Sequence, residues 1–217
     1  MEPITVYAIN LPERTERLKS IKREFTGKKE FRLSIIPSIR HDIGAFGQWL
    51  TFINIVRCEA EKKSDYFVFC EDDHVFTHNY DYNTFFEYIM EANKMEADIL
   101  CGGVGYLEDP IQCSDRLFWI NSFNGMQFIV IYNRFYDKIL MADTNTYQIT
   151  DYFISNVSDR IFVCYPFISV QKEFGYSDIT NSNKQKGHLR KCFHHSEKTI
   201  QRIIKIKQFY SNHYEIR

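Results

Sequence analysis

Apolar positions along the chain fall into short unbroken runs, separated by longer stretches in which they recur every three or four residues. Residues 4–10, ITVYAIN, form the first run and predict a strand. Leu11 to Arg17 reads as a loop passing into a helix, with Pro12 at its first turn and acids following. A second strand is expected around 31–36, ending at Pro37, and Gly44 and Gly47 mark a loop before a helix near 48–63. In that helix Trp49, Phe52, Ile53, Val56 and Ala60 share one face. Tyr66 to Cys70 is apolar and aromatic over a length a helix would exceed, which predicts a strand buried on both faces.

The later pattern predicts a helix near 83–94, a strand from Ala97 to Cys101 closing at Gly102-Gly103, and a strand at 128–133. A helix over 134–141, a helix start at 151–155 and a strand over 161–165 stopped by Pro166 follow. Strands alternating with helices imply an α/β domain with a mostly parallel central sheet and helices on both faces. Ligands of such sheets bind beyond the carboxyl ends of the strands, which would gather Asn10, Glu71-Asp72-Asp73 and Gly102-Gly103 on one rim. No repeat or flexible linker interrupts the chain. Residues 1–183 therefore read as one domain, and 184–217 as a basic helical tail packed on or extending from it, with Ser196 as N-cap of a helix reaching Tyr210.

Composition fits this picture: of 217 residues 44% are hydrophobic and 25% charged, which suits one globular core. The start lacks the pattern of a secretory signal, no apolar run approaches a membrane span, and the six cysteines form no CxxC pair. A cytoplasmic protein with reduced thiols is expected. The net charge of −1 hides an asymmetry, because residues 183–217 hold nine Lys/Arg against two acids. That tail is either a solvated helix or a contact for phosphates, a partner domain or an anionic membrane, which would make the protein membrane-peripheral. No nucleic-acid partner is expected.

Phosphate-binding GxxxxGK[ST] and GxGxxG loops are absent, as are HExxH and GxSxG. What remains is Glu71-Asp72-Asp73, three adjacent carboxylates at the end of a core strand. They repel one another and resist burial unless something positive neutralises them. Their oxygens suit a hard divalent cation such as Mn²⁺ or Mg²⁺. The plainer alternative is an acidic cap on the helix that follows.

The succession VYAINLPERTERL (6–18), GAFGQWLTFINIV (44–56), YFVFCEDDHVF (66–76) and PFISVQKEFGYSDI (166–179) resembles the family 25 glycosyltransferases, which include lipopolysaccharide-building and collagen-modifying galactosyltransferases. The resemblance spans residues 4 to 180 and implies a GT-A fold with a nucleotide-sugar site at the strand ends. It further implies transfer of a hexose from a nucleotide diphosphate sugar, a UDP-sugar, to a glycan hydroxyl with inversion. Glu71-Asp72-Asp73 occupies the place of the family's DxD-like motif, with Asp73 as direct metal ligand and Glu71 or Asp72 toward the sugar or ribose. Asn10, Arg14 and Arg17 become candidates for nucleotide contact; arginine's fork suits diphosphate oxygens. Asp151, just before a helix, is the candidate general base, or else an ordinary N-cap. Tyr176-Ser177-Asp178-Ile179 falls on the donor or acceptor rim, and His188 is a candidate late metal ligand. Where the family carries Ser-His in its second helix this chain has Thr51-Phe52. A metal-dependent phosphodiester hydrolase and a catalytically silent sugar-nucleotide or glycan-binding module fit the same acids.

Overall fold

Strand β1 (Ile4–Asn10) lies between β2 (Phe31–Pro37) and β3 (Tyr66–Glu71) and runs parallel to both. The computed structural model describes residues 2–144, 146, 148–175 and 185–213. The sheet continues through β10 (Phe128–Tyr132), β5 (Ile99–Cys101), β11 (Ile161–Cys164), β8 (Leu117–Trp119) and β7 (Ile111–Gln112), in the order β2-β1-β3-β10-β5-β11-β8-β7. Only β10 and β8 run against the others, so the sheet is mostly parallel, as the alternating pattern predicts.

Alternation along each strand builds two cores, because successive side chains point to opposite faces. Tyr7, Ile9, Phe67, Phe69, Ile129 and Ile131 pack beneath α2 (Gly44–Lys62), α4 (Tyr136–Leu140), α5 (Thr150–Val157) and the start of α6 (His188–His213). Val6, Ala8, Val68, Cys70 and Val130 face the other way, under α1 (Thr15–Glu24) and α3 (Tyr82–Lys94). Both faces are covered, which is why the central strands read as unbroken apolar runs. Cys70, Cys101 and Cys164 are buried filling, and all six thiols are free. Among the described residues no helix is long and apolar enough to cross a membrane.

Four local expectations are corrected. Gly44 and Gly47 belong to the first turn of α2 rather than to a loop. A Cβ on Gly47 would stand 2.1 Å from the Ile39 carbonyl oxygen, so glycine there lets the 38–43 segment lie against the helix. Pro12 sits in a turn ahead of α1, which starts at Thr15. Ser196 is buried within α6 and caps nothing, since that helix begins at His188. Gly102-Gly103 does not open onto a ligand rim: the Gly102 carbonyl accepts from the Ile168 and Ser169 amides, and a Cβ on Gly103 would meet the Ser169 carbonyl at 2.2 Å. These glycines let the chain at 167–169 cross close behind the sheet.

That crossing leads into β12 (Ser169–Gln171), which pairs antiparallel with β4 (His74–Phe76) as a separate ribbon. A second ribbon joins β6 (Tyr106–Glu108) to β9 (Ser122–Asn124). Neither was predicted. Both matter, because β12 and the turn after β9 carry side chains into the cleft described next.

Candidate active site at the carboxyl edge of the sheet

A cleft of about 770 Å³ opens beyond the carboxyl ends of β1 and β3. Its walls come from the start of α1, the 38–42 segment, the first turn of α2, the turn at 124–126 with the start of α5, and residues 171–174. Its floor is Glu71-Asp72-Asp73. The acids do not cap the helix that follows: β4 intervenes, and α3 is capped by Asp81, whose carboxylate accepts from the Thr84 amide at 3.0 Å.

Each acid has a different surrounding. Asp72 is almost fully buried and fully engaged, accepting from the Asn10 amide and from Arg17, both at 2.8 Å. Arg17 also donates to Asp73 Oδ2 at 3.2 Å, so one buried guanidinium offsets two carboxylates. Asn10 and Arg17, expected to touch a nucleotide, therefore brace the floor, although both also line the cleft. Arg14 lines it as well. The remaining oxygen of Asp73, Oδ1, is buried and has no hydrogen-bond partner among the described residues. Burial pushes Asp73 up to about 6, with Arg17 working against the rise.

Glu71 is held by two amides, Gln48 Nε2 at 2.5 Å and Gln171 Nε2 at 3.0 Å. Burial and the charges of Asp73, Asp151 and Asp72 push it up to about 8. Both shifts mean that a positive charge brought close to Glu71 and Asp73 would be favourable there.

Asp151 reaches the cleft from the first turn of α5; the residue at the cap position is Ile149, so Asp151 is not the N-cap. Its Oδ2 accepts from Asn124 Nδ2 at 2.8 Å and the Gly125 amide at 3.2 Å, and its Oδ1 from the Tyr152 amide at 3.0 Å. Gly125, at φ +116°, makes the turn that aims this amide. Burial raises the Asp151 pKa against those hydrogen bonds. Lys172 also lines the cleft: its amide donates to the Asp73 carbonyl at 2.8 Å and its ammonium lies 3.3 Å from Ser20 Oγ.

His188 stays outside this set. It opens α6, its Nε2 is 3.6 Å from Cys192 Sγ, and its neighbour Leu189 lines the cleft instead. Tyr176 to Ile179 lie outside the described residues. Among the described residues no three His, Cys, Asp or Glu side chains converge as a ready-made cation shell. A hard cation is nevertheless compatible with the unpartnered Asp73 oxygen, since Mg²⁺-like ions commonly take one or two carboxylates and complete their shell from substrate phosphates and water.

Gln48, Asn124, Gln171 and Lys172 escaped the sequence reading. Gln48 alone left a trace there, as a polar side chain in the apolar register of α2, beside Trp49 and one turn before Phe52. Thr51, where the resemblance expected Ser, fastens the cleft wall: its hydroxyl accepts from the Ile39 amide at 2.8 Å and donates to the Gly47 carbonyl at 2.7 Å.

Fold and cleft define an α/β domain with a polar, acid-floored cleft at the carboxyl edge of its sheet. No family model matches the sequence, and no curated protein matches it. Among solved structures the chain is similar to a glycosyltransferase involved in the glycosylation of the major capsid of PBCV-1, at 14% identity over 82% of this chain and 95% of that one, with a TM-score of 0.46. It is similar also to an apo UDP-glucose pyrophosphorylase (11% identity, 91% and 82% covered, TM-score 0.44) and to HddC from Yersinia pseudotuberculosis (9%, 77% and 93%, 0.42).

Proposed function

We propose that this protein is a glycosyltransferase of GT-A type, which moves a hexose from a nucleotide diphosphate sugar, a UDP-sugar, to a glycan hydroxyl. The observation that carries the reading is the buried oxygen of Asp73, unpartnered among the described residues, in an acidic floor beneath a cleft of about 770 Å³. Such a floor suits a cation lying under a diphosphate, and the volume suits a ligand of nucleotide-sugar size. The resemblance of four ordered segments to the family 25 glycosyltransferases points the same way.

Asp73 and Glu71 would hold Mn²⁺ or Mg²⁺, which when bound supplies charge neutralisation to the departing diphosphate. Arg17 keeps Asp72 and Asp73 fixed, while Arg14 and Lys172 offer cationic groups along the same wall. Asp151 accepts the proton of the acceptor hydroxyl as that oxygen bonds to the anomeric carbon and the carbon–oxygen bond to the diphosphate breaks. Its raised pKa strengthens it as a base, and Asn124 and the Gly125 amide fix its direction. A saccharide acceptor of lipopolysaccharide type follows from the resemblance.

Calorimetric titration of a panel of nucleotide sugars, with and without Mn²⁺, tests the reading. The expected result is cation-dependent binding of one donor by the wild type and its loss in Asp73→Ala. Asp151→Asn should keep donor binding while transfer falls by about 10²-fold or more. Cation-dependent cleavage of phosphodiesters without nucleotide preference would replace the transferase with a hydrolase. Donor binding and function indifferent to Asp151→Asn would leave a silent binding module, and failure of every donor on folded protein would overturn the proposal.

A further inference from the structure

Helix α6 changes character along its length. Leu189, Phe193, Ser196 and Ile200 recur at helical spacing and are buried against the domain. From Lys205 to His213 every residue is exposed. Within that exposed length Ile206, Phe209 and Tyr210 are 48%, 53% and 51% exposed. At about 100° per residue they fall on one arc, centred about 120° round the helix from the buried stripe, with Tyr210 on its near side. The arc is flanked by Lys205 and Lys207, and Lys198 and Arg202 lie on the turns before; residues 198–213 contain no acid.

An apolar strip with aromatic members and a basic border calls for a surface that is apolar below and anionic above. A second copy of the same helix would bring lysines and arginines together, a like-charge contact that opposes association. We propose that the 205–213 end of α6 is a docking surface for an anionic lipid bilayer, with Ile206 and Phe209 entering the headgroup boundary and Lys205, Lys207 and Arg202 pairing with lipid phosphates. This surface is independent of the cleft, and the proposal stands or falls without a donor or an acceptor.

Vesicle flotation with the full chain tests it, using phosphatidylcholine alone and phosphatidylcholine with about a third phosphatidylglycerol. Binding is expected to the anionic vesicles only and to weaken as salt rises. Lys205→Glu/Lys207→Glu should lower vesicle affinity more than about tenfold, and Ile206→Ser/Phe209→Ser should also weaken it. All four positions are exposed, so circular dichroism and thermal melting should match wild type. Absence of binding at low salt, or equal binding to both vesicle types, would overturn the proposal. So would a concentration-dependent dimer that Phe209→Ser dissociates, which would assign the strip to a second copy.

Discussion

Glu71 illustrates how a single carboxyl group can store the requirement for a missing charge. Its pKa of about 8 in the folded chain lies above the ordinary carboxylate range because of burial and three neighbouring acids. The folded protein thus keeps a proton that the unfolded chain has released. Stability from this source is complete below the ordinary carboxylate pKa and is lost as pH rises from there to about 8; Asp73, at about 6, adds to the loss in the lower half of that window. Glu71→Gln retains the neutral shape without the titration. In cation-free buffer its urea midpoint should match wild type near pH 5 and exceed it above pH 8, by at least about 1 kcal/mol in stability. Parallel profiles for the two proteins would refute this account. The acids were legible in the sequence because charge after a buried run is conspicuous. The two glutamines that hold Glu71 were not, since Gln48 and Gln171 bear no charge and come from segments far apart in the chain.

Elements were legible in proportion to their length. The runs that became β1, β2, β3, β10 and β11 are long enough to show burial, whereas strands of two or three residues such as β4, β6, β7, β9 and β12 show no period. Strand direction left no mark either: the run at 128–133 reads as a strand, but only tertiary pairing reverses it against β3 and β5. The placement of Gly44 and Gly47 failed for a related reason, because glycine lowers helix propensity while packing at one position requires it. Gly47→Ala would force its Cβ against the Ile39 carbonyl. A loss of about 1–3 kcal/mol in urea unfolding is expected, accompanied by weaker ligand binding although no floor residue changes. Unaltered stability would mean that the 38–43 segment yields without cost.

For the whole molecule, the basic tail drawn from charge at 184–217 begins ahead of α6, and burial changes along that helix beyond Ile204. Charge marks the tail as basic, but burial of Leu189, Phe193 and Ile200 makes its first half part of the fold. A chain shortened after Ile204 should melt as wild type does. One ending before Leu189 loses three apolar side chains worth about 1.5–3 kcal/mol each, enough to unfold much of a domain whose total stability is of order 5–15 kcal/mol; thermal melting by circular dichroism separates the two. The same scale gives the Gly47 contact a mechanical meaning. Thr51 and Gly47 tie the 38–43 wall to α2, and α2 extends Gln48 to Glu71 in the floor. Wall and floor are therefore one rigid jaw. Any tightening of the cleft around a ligand would then come from the α5 side, since the chain that leaves β12 is itself tied to the floor through Gln171 and Lys172.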